Sequence, residues 1–222
     1  ARGGSQRIKK KSIKFFCGKP IISYSIISAL KSGCFDKVIV STDSNNISKV
    51  ALKYGAEVPF KRPKNLSDDK TSTGDVIKHA IHFLRKKGVI FEFVCCIYPA
   101  APFAFPKDLI LAMKKLKAGK HNLIFTACKF SHPVYRGFKI LKNHKHSIIF
   151  SKSKYKFKRT QDYENIYHDA GQFYFGTASA FLRNTSIFSS NSTPIIFPTH
   201  KVQDIDTIDD WKQAEIKYHL LK

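Results

Sequence analysis

Acidic side chains are scarce in this sequence: 16 Asp and Glu stand against 39 Lys and Arg, for a formal net charge of +23. No acidic residue occurs between Asp108 and Asp162. Such a balance admits a polyanionic partner. The excess is mostly lysine, however, and is spread through every segment, with nothing resembling a recognition helix, a zinc finger or an RNP strand. It reads as a compositional bias compatible with an anionic substrate, and nucleic acid is not expected as a partner. Long apolar runs are also missing. None approaches the roughly 18 residues of a membrane-spanning helix, and no signal peptide is visible, so no membrane partner is expected. The five cysteines (Cys17, Cys34, Cys95, Cys96 and Cys128) contain no C-x-x-C spacing. They read as small hydrophobes in a reducing, cytoplasmic compartment, not as a disulfide framework or a zinc site. Two phosphate-binding loops are absent as well. Without G-x-x-x-x-G-K-[ST] the chain is no P-loop ATPase, and without G-x-G-x-x-G a dinucleotide site is not expected.

What is present begins at once: Ala1-Arg2-Gly3-Gly4-Ser5-Gln6-Arg7-Ile8-Lys9-Lys10-Lys11-Ser12. Two glycines let a backbone bend tightly and approach a ligand, and successive N–H groups in such a bend form a concave anion site. Arg suits bidentate phosphate contact and Lys a point charge on a flexible stem. The stretch therefore reads as a polyphosphate pocket, or else as a solvated basic tail. No apolar strand feeds this loop within the sequence, and one is expected ahead of it.

Downstream, strand and helix patterns alternate. Pro20–Gly33, Asn46–Tyr54, Thr73–Lys87, Pro106–Lys117 and Ile208–Leu221 read as helices, with Thr73 and Thr207 as N-caps. Lys37–Thr42, Glu57–Phe60, Phe91–Tyr98 and Asn122–Lys129 read as strands. The alternation predicts an α/β fold with a doubly wound, mostly parallel sheet, in one domain spanning 1–222. From Phe130 to Gln161 the pattern loosens into strand-like runs, Val134–Leu141 and Ser147–Phe150, which read as an inserted hairpin element. In Tyr167-His168-Asp169-Ala170-Gly171-Gln172-Phe173-Tyr174-Phe175-Gly176, alternation puts Gln172 and Tyr174 on one face of a strand. Asp204 and Asp206 lie two apart on an extended segment, so their carboxylates share a side. Like charges so placed favour a cation beside them, and hard oxygen donors suit Mg²⁺.

The opening loop resembles the A-R-x-x-S-K-x-x-x-x-K-N nucleotide loop of the sugar-activating cytidylyltransferases, with Gln6 and Ser12 departing from it. The resemblance continues through Arg62-Pro63, Leu66 and Asp69, through Tyr98-Pro99-Ala100-Ala101-Pro102, and through Asp204-Ile205-Asp206. The His168–Tyr174 wording is similar to the branch that activates pseudaminic acid. The family's D-x-D stands at Asp204 and Asp206. The resemblance implies transfer of CMP from CTP to a nine-carbon 2-keto sugar acid, with Mg²⁺ on Asp204 and Asp206 and catalysis by those two residues, Arg2 and Lys11. It implies nucleotide contacts at Arg2, Gly3, Gly4, Ser5, Gln6, Arg7, Lys11, Arg62, Thr73 and Tyr98. Arg136, Arg159, Asp169, Gln172 and Tyr174 are the candidates for the sugar acid, and the 130–161 element is expected to build a homodimer. A synthetase for neuraminic, legionaminic or Kdo-type acids would share the nucleotide motifs and differ around Arg136–Tyr174. A basic nucleic-acid binder and an inactive homologue are the remaining readings.

Overall fold

The computed structural model describes residues 1–142, 145–149 and 158–221. The basic opening stretch ends in a 3-10 turn at Lys11–Ile13 and enters a short hairpin, β1 (Phe15–Phe16) and β2 (Lys19–Pro20). So short a run carries no period-2 signal, and the sequence pattern does not reveal this hairpin. Its turn places Cys17 and Gly18 in left-handed backbone, at φ 44° and 93°. Helix α1 (Ile21–Ser32) follows, closed by Gly33 in the left-handed C-cap that favours glycine. Helix α2 (Asn45–Lys53) is capped by the Ser44 hydroxyl. Helix α3 (Thr73–Lys86) is capped by Ser72, whose hydroxyl accepts from Asp75 N at 3.1 Å, so Thr73 is its first residue and not its cap.

The central sheet has the order β3-β7-β4-β8. Its members are β3 (Phe93–Ile97), β4 (Leu123–Lys129), β7 (Tyr167–Thr177) and β8 (Ser192–Phe197). Helix α4 (Pro106–Lys117) joins β3 to β4. The β4–β8 pair is parallel, but β7 runs antiparallel to both β3 and β4. The α/β class stands, and the sheet is mixed. The chain leaves β4, makes the 130–166 excursion and returns alongside it as β7 in the opposite sense, a pairing that needs no crossover connection. That excursion contains the small pair β5 (Phe138–Ile140) and β6 (His146–Ile148), antiparallel to each other. Phe150 and the rest of 150–157 lie outside the described residues. Lys37–Thr42 and Glu57–Phe60 form no continuous ladder. Parallel bridges Ile39↔Glu57 and Thr42↔Lys61 join the two segments instead.

Both faces of the sheet are covered. Alternation sends Phe173 and Phe175 toward Leu109, Ala112 and Leu116 of α4, and sends Tyr174 with Val94 and Cys96 toward Ile77 and Ile81 of α3. Short helix α5 (Ala178–Leu182) adds Phe181 to the second face. The final helix, α6 (Ile208–Leu220), has the anticipated cap: Thr207 Oγ1 accepts from Asp210 N at 3.2 Å and Asp210 Oδ2 accepts from Thr207 N at 2.8 Å. Its Trp211 and Ala214 pack with Phe16, Phe103 and Ile205. A cavity of about 750 Å³ separates β3 from Val38–Ser41, roofed by Ile22 and Ile26 of α1 and floored by Ile77 and Ile81. Its polar mouth carries Arg2, Asp69 and Thr71.

Candidate functional site

The basic loop is folded onto carboxylates. Gly3 N donates to Asp43 Oδ1 at 2.9 Å, and a Cβ on Gly3 would stand 3.1 Å from that of Ser44, so the approach needs a residue this small. Arg2 and Gln6 both donate to Asp69, the latter at 2.9 Å. Gly4 faces open space, and Ser5 is half-exposed beside it. Arg7 Nη1 lies 2.8 Å from Asp206 Oδ2. Lys11 Nζ donates to Ile205 O at 2.6 Å and to Asp206 Oδ1 at 3.4 Å. Three of the cations that the sequence assigned to the nucleotide, Arg2, Arg7 and Lys11, thus hold a carboxylate.

Arg62 behaves differently. It is buried, and its guanidinium donates to Ser41 Oγ at 3.0 Å, Ser41 O at 2.5 Å and Ala1 O at 3.4 Å. These bonds brace the loop from behind, a placement distinct from the expected phosphate or ribose contact. Asp68 organises its own turn by accepting from Thr71 N and Thr71 Oγ1, and those hydrogen bonds hold its carboxyl below the usual range.

A second polar group adjoins the loop. Thr73 Oγ1 and Tyr98 OH are 3.2 Å apart, and the Tyr98 and Tyr174 rings meet edge-on at 5.6 Å. Tyr174 OH donates to Asp169 Oδ2, while Asp169 Oδ1 accepts from Gly171 N at 2.9 Å. Burial first, and the neighbouring carboxylate second, keep the Tyr174 phenol protonated far above its ordinary pKa. A pocket of about 290 Å³ opens beside the two tyrosines, lined by Thr73, Gly74, Ile77 and Asn184.

Three of the sugar-acid candidates are placed elsewhere. Gln172 is 1% exposed, sealed within the sheet with Nε2 on Ala170 O at 3.0 Å and Oε1 unpartnered among the described residues. Strand alternation gives the face of a side chain but not what covers it, and this face is packed. Arg136 donates to Lys158 O at 3.2 Å, and Arg159 pairs with Asp162 at 3.0 Å. Both are engaged within the 130–166 excursion.

Asp204 and Asp206 flank buried Ile205 on an extended segment, with the Asp204 carboxylate exposed. Among the described residues no group of three His, Cys, Asp or Glu side chains converges. A cation there would draw two carboxylates from the protein and complete its shell with water and substrate oxygens, the coordination habit of Mg²⁺. The donor set fits that ion. Sequence reasoning missed Asp43. Asp43 follows a strand-like segment, where ligands of open α/β sheets gather, and that position was the available signal.

A model of the cytidylyltransferase family matches residues 1–220. This chain belongs to the cytidylyltransferase family. Within it, the chain is 45% identical to the pseudaminic acid cytidylyltransferase of Campylobacter jejuni over 98% of this chain and 93% of that one. It is 32% identical to the CMP-N,N'-diacetyllegionaminic acid synthase of Legionella pneumophila, over 97% and 92%. Among solved structures, a CMP:2-keto-3-deoxy-manno-octonic acid synthetase complexed with CTP aligns with a TM-score of 0.71, over 100% of this chain and 97% of that one. At 14% identity this match bears on the fold alone. As a cytidylyltransferase the chain is an enzyme.

Proposed function

We propose that this cytidylyltransferase transfers CMP from CTP to a nine-carbon 2-keto sugar acid, pseudaminic acid, releasing pyrophosphate. The observation that carries the reading is the 45% identity to a pseudaminic acid cytidylyltransferase across 98% of the chain. The anomeric hydroxyl oxygen forms a bond to the α-phosphorus and gives up its proton as the bond to pyrophosphate breaks. Such transfers depend on positioning and charge neutralisation. Arg2, Arg7 and Lys11 exchange their present carboxylate partners for the triphosphate, and the N–H groups around Gly3 and Gly4 line its path. Asp204 and Asp206 would hold Mg²⁺, which when bound offsets charge on the phosphates and leaving group. The sugar acid lies toward Tyr98 and Tyr174, where the 290 Å³ pocket has room for a ring substituent.

The reading extends to a cytoplasmic homodimer joined through the 130–161 element, where Phe138 and Ile140 are 59% and 73% exposed. Light scattering at tens of micromolar protein checks the dimer, and a monomer refutes it. The main test is pyrophosphate release from CTP, ATP, GTP or UTP with Mg²⁺ and a panel of sugar acids. Release with CTP and pseudaminic acid supports the assignment. Preference for a neuraminic, legionaminic or Kdo-type acid overturns the substrate, and equal use of all four triphosphates overturns the base.

A further inference from the structure

The acidic segment of the site is anchored by an ion pair that lies outside it. Lys201 Nζ sits 2.5 Å from both carboxylate oxygens of Asp108, and each side chain is 9% exposed. The ammonium also lies 4.2 Å from the centre of the Phe197 ring and 5.0 Å from that of Phe105. Asp108 also caps α4, because its Oδ2 accepts from Phe105 N at 2.9 Å. Tyr98–Phe105 leads into that cap, and Val202–Asp206 begins immediately after Lys201. One buried pair therefore ties the loop bearing Tyr98 to the segment bearing Asp204 and Asp206.

Two further lysines hold the same segment from other sides. Lys217 Nζ donates to Val202 O at 2.8 Å and Gln203 Oε1 at 2.9 Å, and Lys11 Nζ donates to Ile205 O. Apolar residues of similar volume would hold the two elements together about as well, since burying charges is costly even when they are paired. What a desolvated pair adds is selectivity among arrangements: any register that separates the two leaves an unpaired buried charge, which is costly.

We propose that Lys201 and Asp108 are positioning residues that fix the Asp204/Asp206 segment relative to the Tyr98 loop, and thereby set the affinity of the site for its divalent cation. The inference rests on the functional reading above.

The test is the double variant Asp108→Leu/Lys201→Met, which replaces the pair with apolar groups. Mn²⁺ binding is measured by calorimetry with CTP present, alongside melting temperature, kcat and the KM for CTP. The expected result is a melting temperature near that of the parent, a Mn²⁺ affinity lower on the order of tenfold, a raised Mg²⁺ half-saturation and an unchanged KM for CTP at saturating metal. Parental Mn²⁺ affinity in the folded double variant overturns the proposal. Should that variant not fold, Asp108→Asn keeps the shape and an acceptor for Phe105 N while removing the charge that holds Lys201, and unchanged Mn²⁺ affinity there overturns it equally. Asp206→Asn is the separate control: parental Mn²⁺ binding in that variant would sink the metal assignment itself and not merely the positioning role.

Discussion

Replacing Asp206 with Asn removes one charge and keeps the shape. In the present structure that carboxylate neutralises Arg7 at 2.8 Å and Lys11 at 3.4 Å. Arg7 is 69% and Asp206 33% exposed, so solvent screens the contact, and its loss is worth at most about 1 kcal/mol. In a domain of this size that shifts the melting temperature by only about 2–4 °C. The Asp206 N–H bond to Asp210 Oδ2, at 3.1 Å, does not involve the altered side chain. Turnover should respond far more. One of two protein ligands to a divalent cation is lost, and kcat is expected to fall on the order of 100-fold, or roughly 2.7 kcal/mol of transition-state stabilisation. Asp204→Asn should cost as much in turnover with no loss of stability, because the Asp204 carboxylate is exposed and among the described residues makes no ion pair. Steady-state rates across a Mg²⁺ titration, with melting curves on the same samples, separate the two effects. High Mg²⁺ should partly restore the weaker variant. Near-parental turnover in both variants at limiting Mg²⁺ would refute the reasoning and leave the pair as a feature of the helix entry.

Tyr174→Phe deletes the hydroxyl that donates to Asp169 while leaving the ring against Tyr98. It should raise the sugar-acid KM about tenfold, as expected for one bond to a charged group, with the CTP KM unchanged; an unchanged sugar KM refutes the placement. Burial pushes the Cys96 thiol up to about 11. It therefore stays protonated at neutral pH and gains reactivity only as the pH rises toward that value, so mass spectrometry after alkylation at about pH 7.5 should find Cys96 unmodified in the folded protein. The cavity of about 750 Å³ between β3 and Val38–Ser41 is walled mostly by apolar side chains. An apolar dye should enter it and raise the melting temperature; no dye binding refutes it as an accessible apolar site.

The local signals in the sequence determined a good deal. Helix α4 spans the predicted residues, Pro106–Lys117, because proline at its first position and apolar spacing act within a few residues of one another. Thr207 and Asp210 cap α6 for the same reason. The tight approach at Gly3 was legible because backbone freedom is a property of single residues. Tertiary structure decided the rest. The direction of β7 depends on how the chain returns from the 130–166 excursion, which periodicity does not record. Gln172 and Tyr174 share a strand face, yet one is sealed and the other reaches Asp169, because distant elements cover that face unevenly. Arg62 turned inward to brace Ser41 and Ala1, contacts that its local sequence does not record. The Lys201–Asp108 pair joins residues 93 apart in sequence; no local pattern marks such a contact, since its energy arises only when folding removes both charges from water.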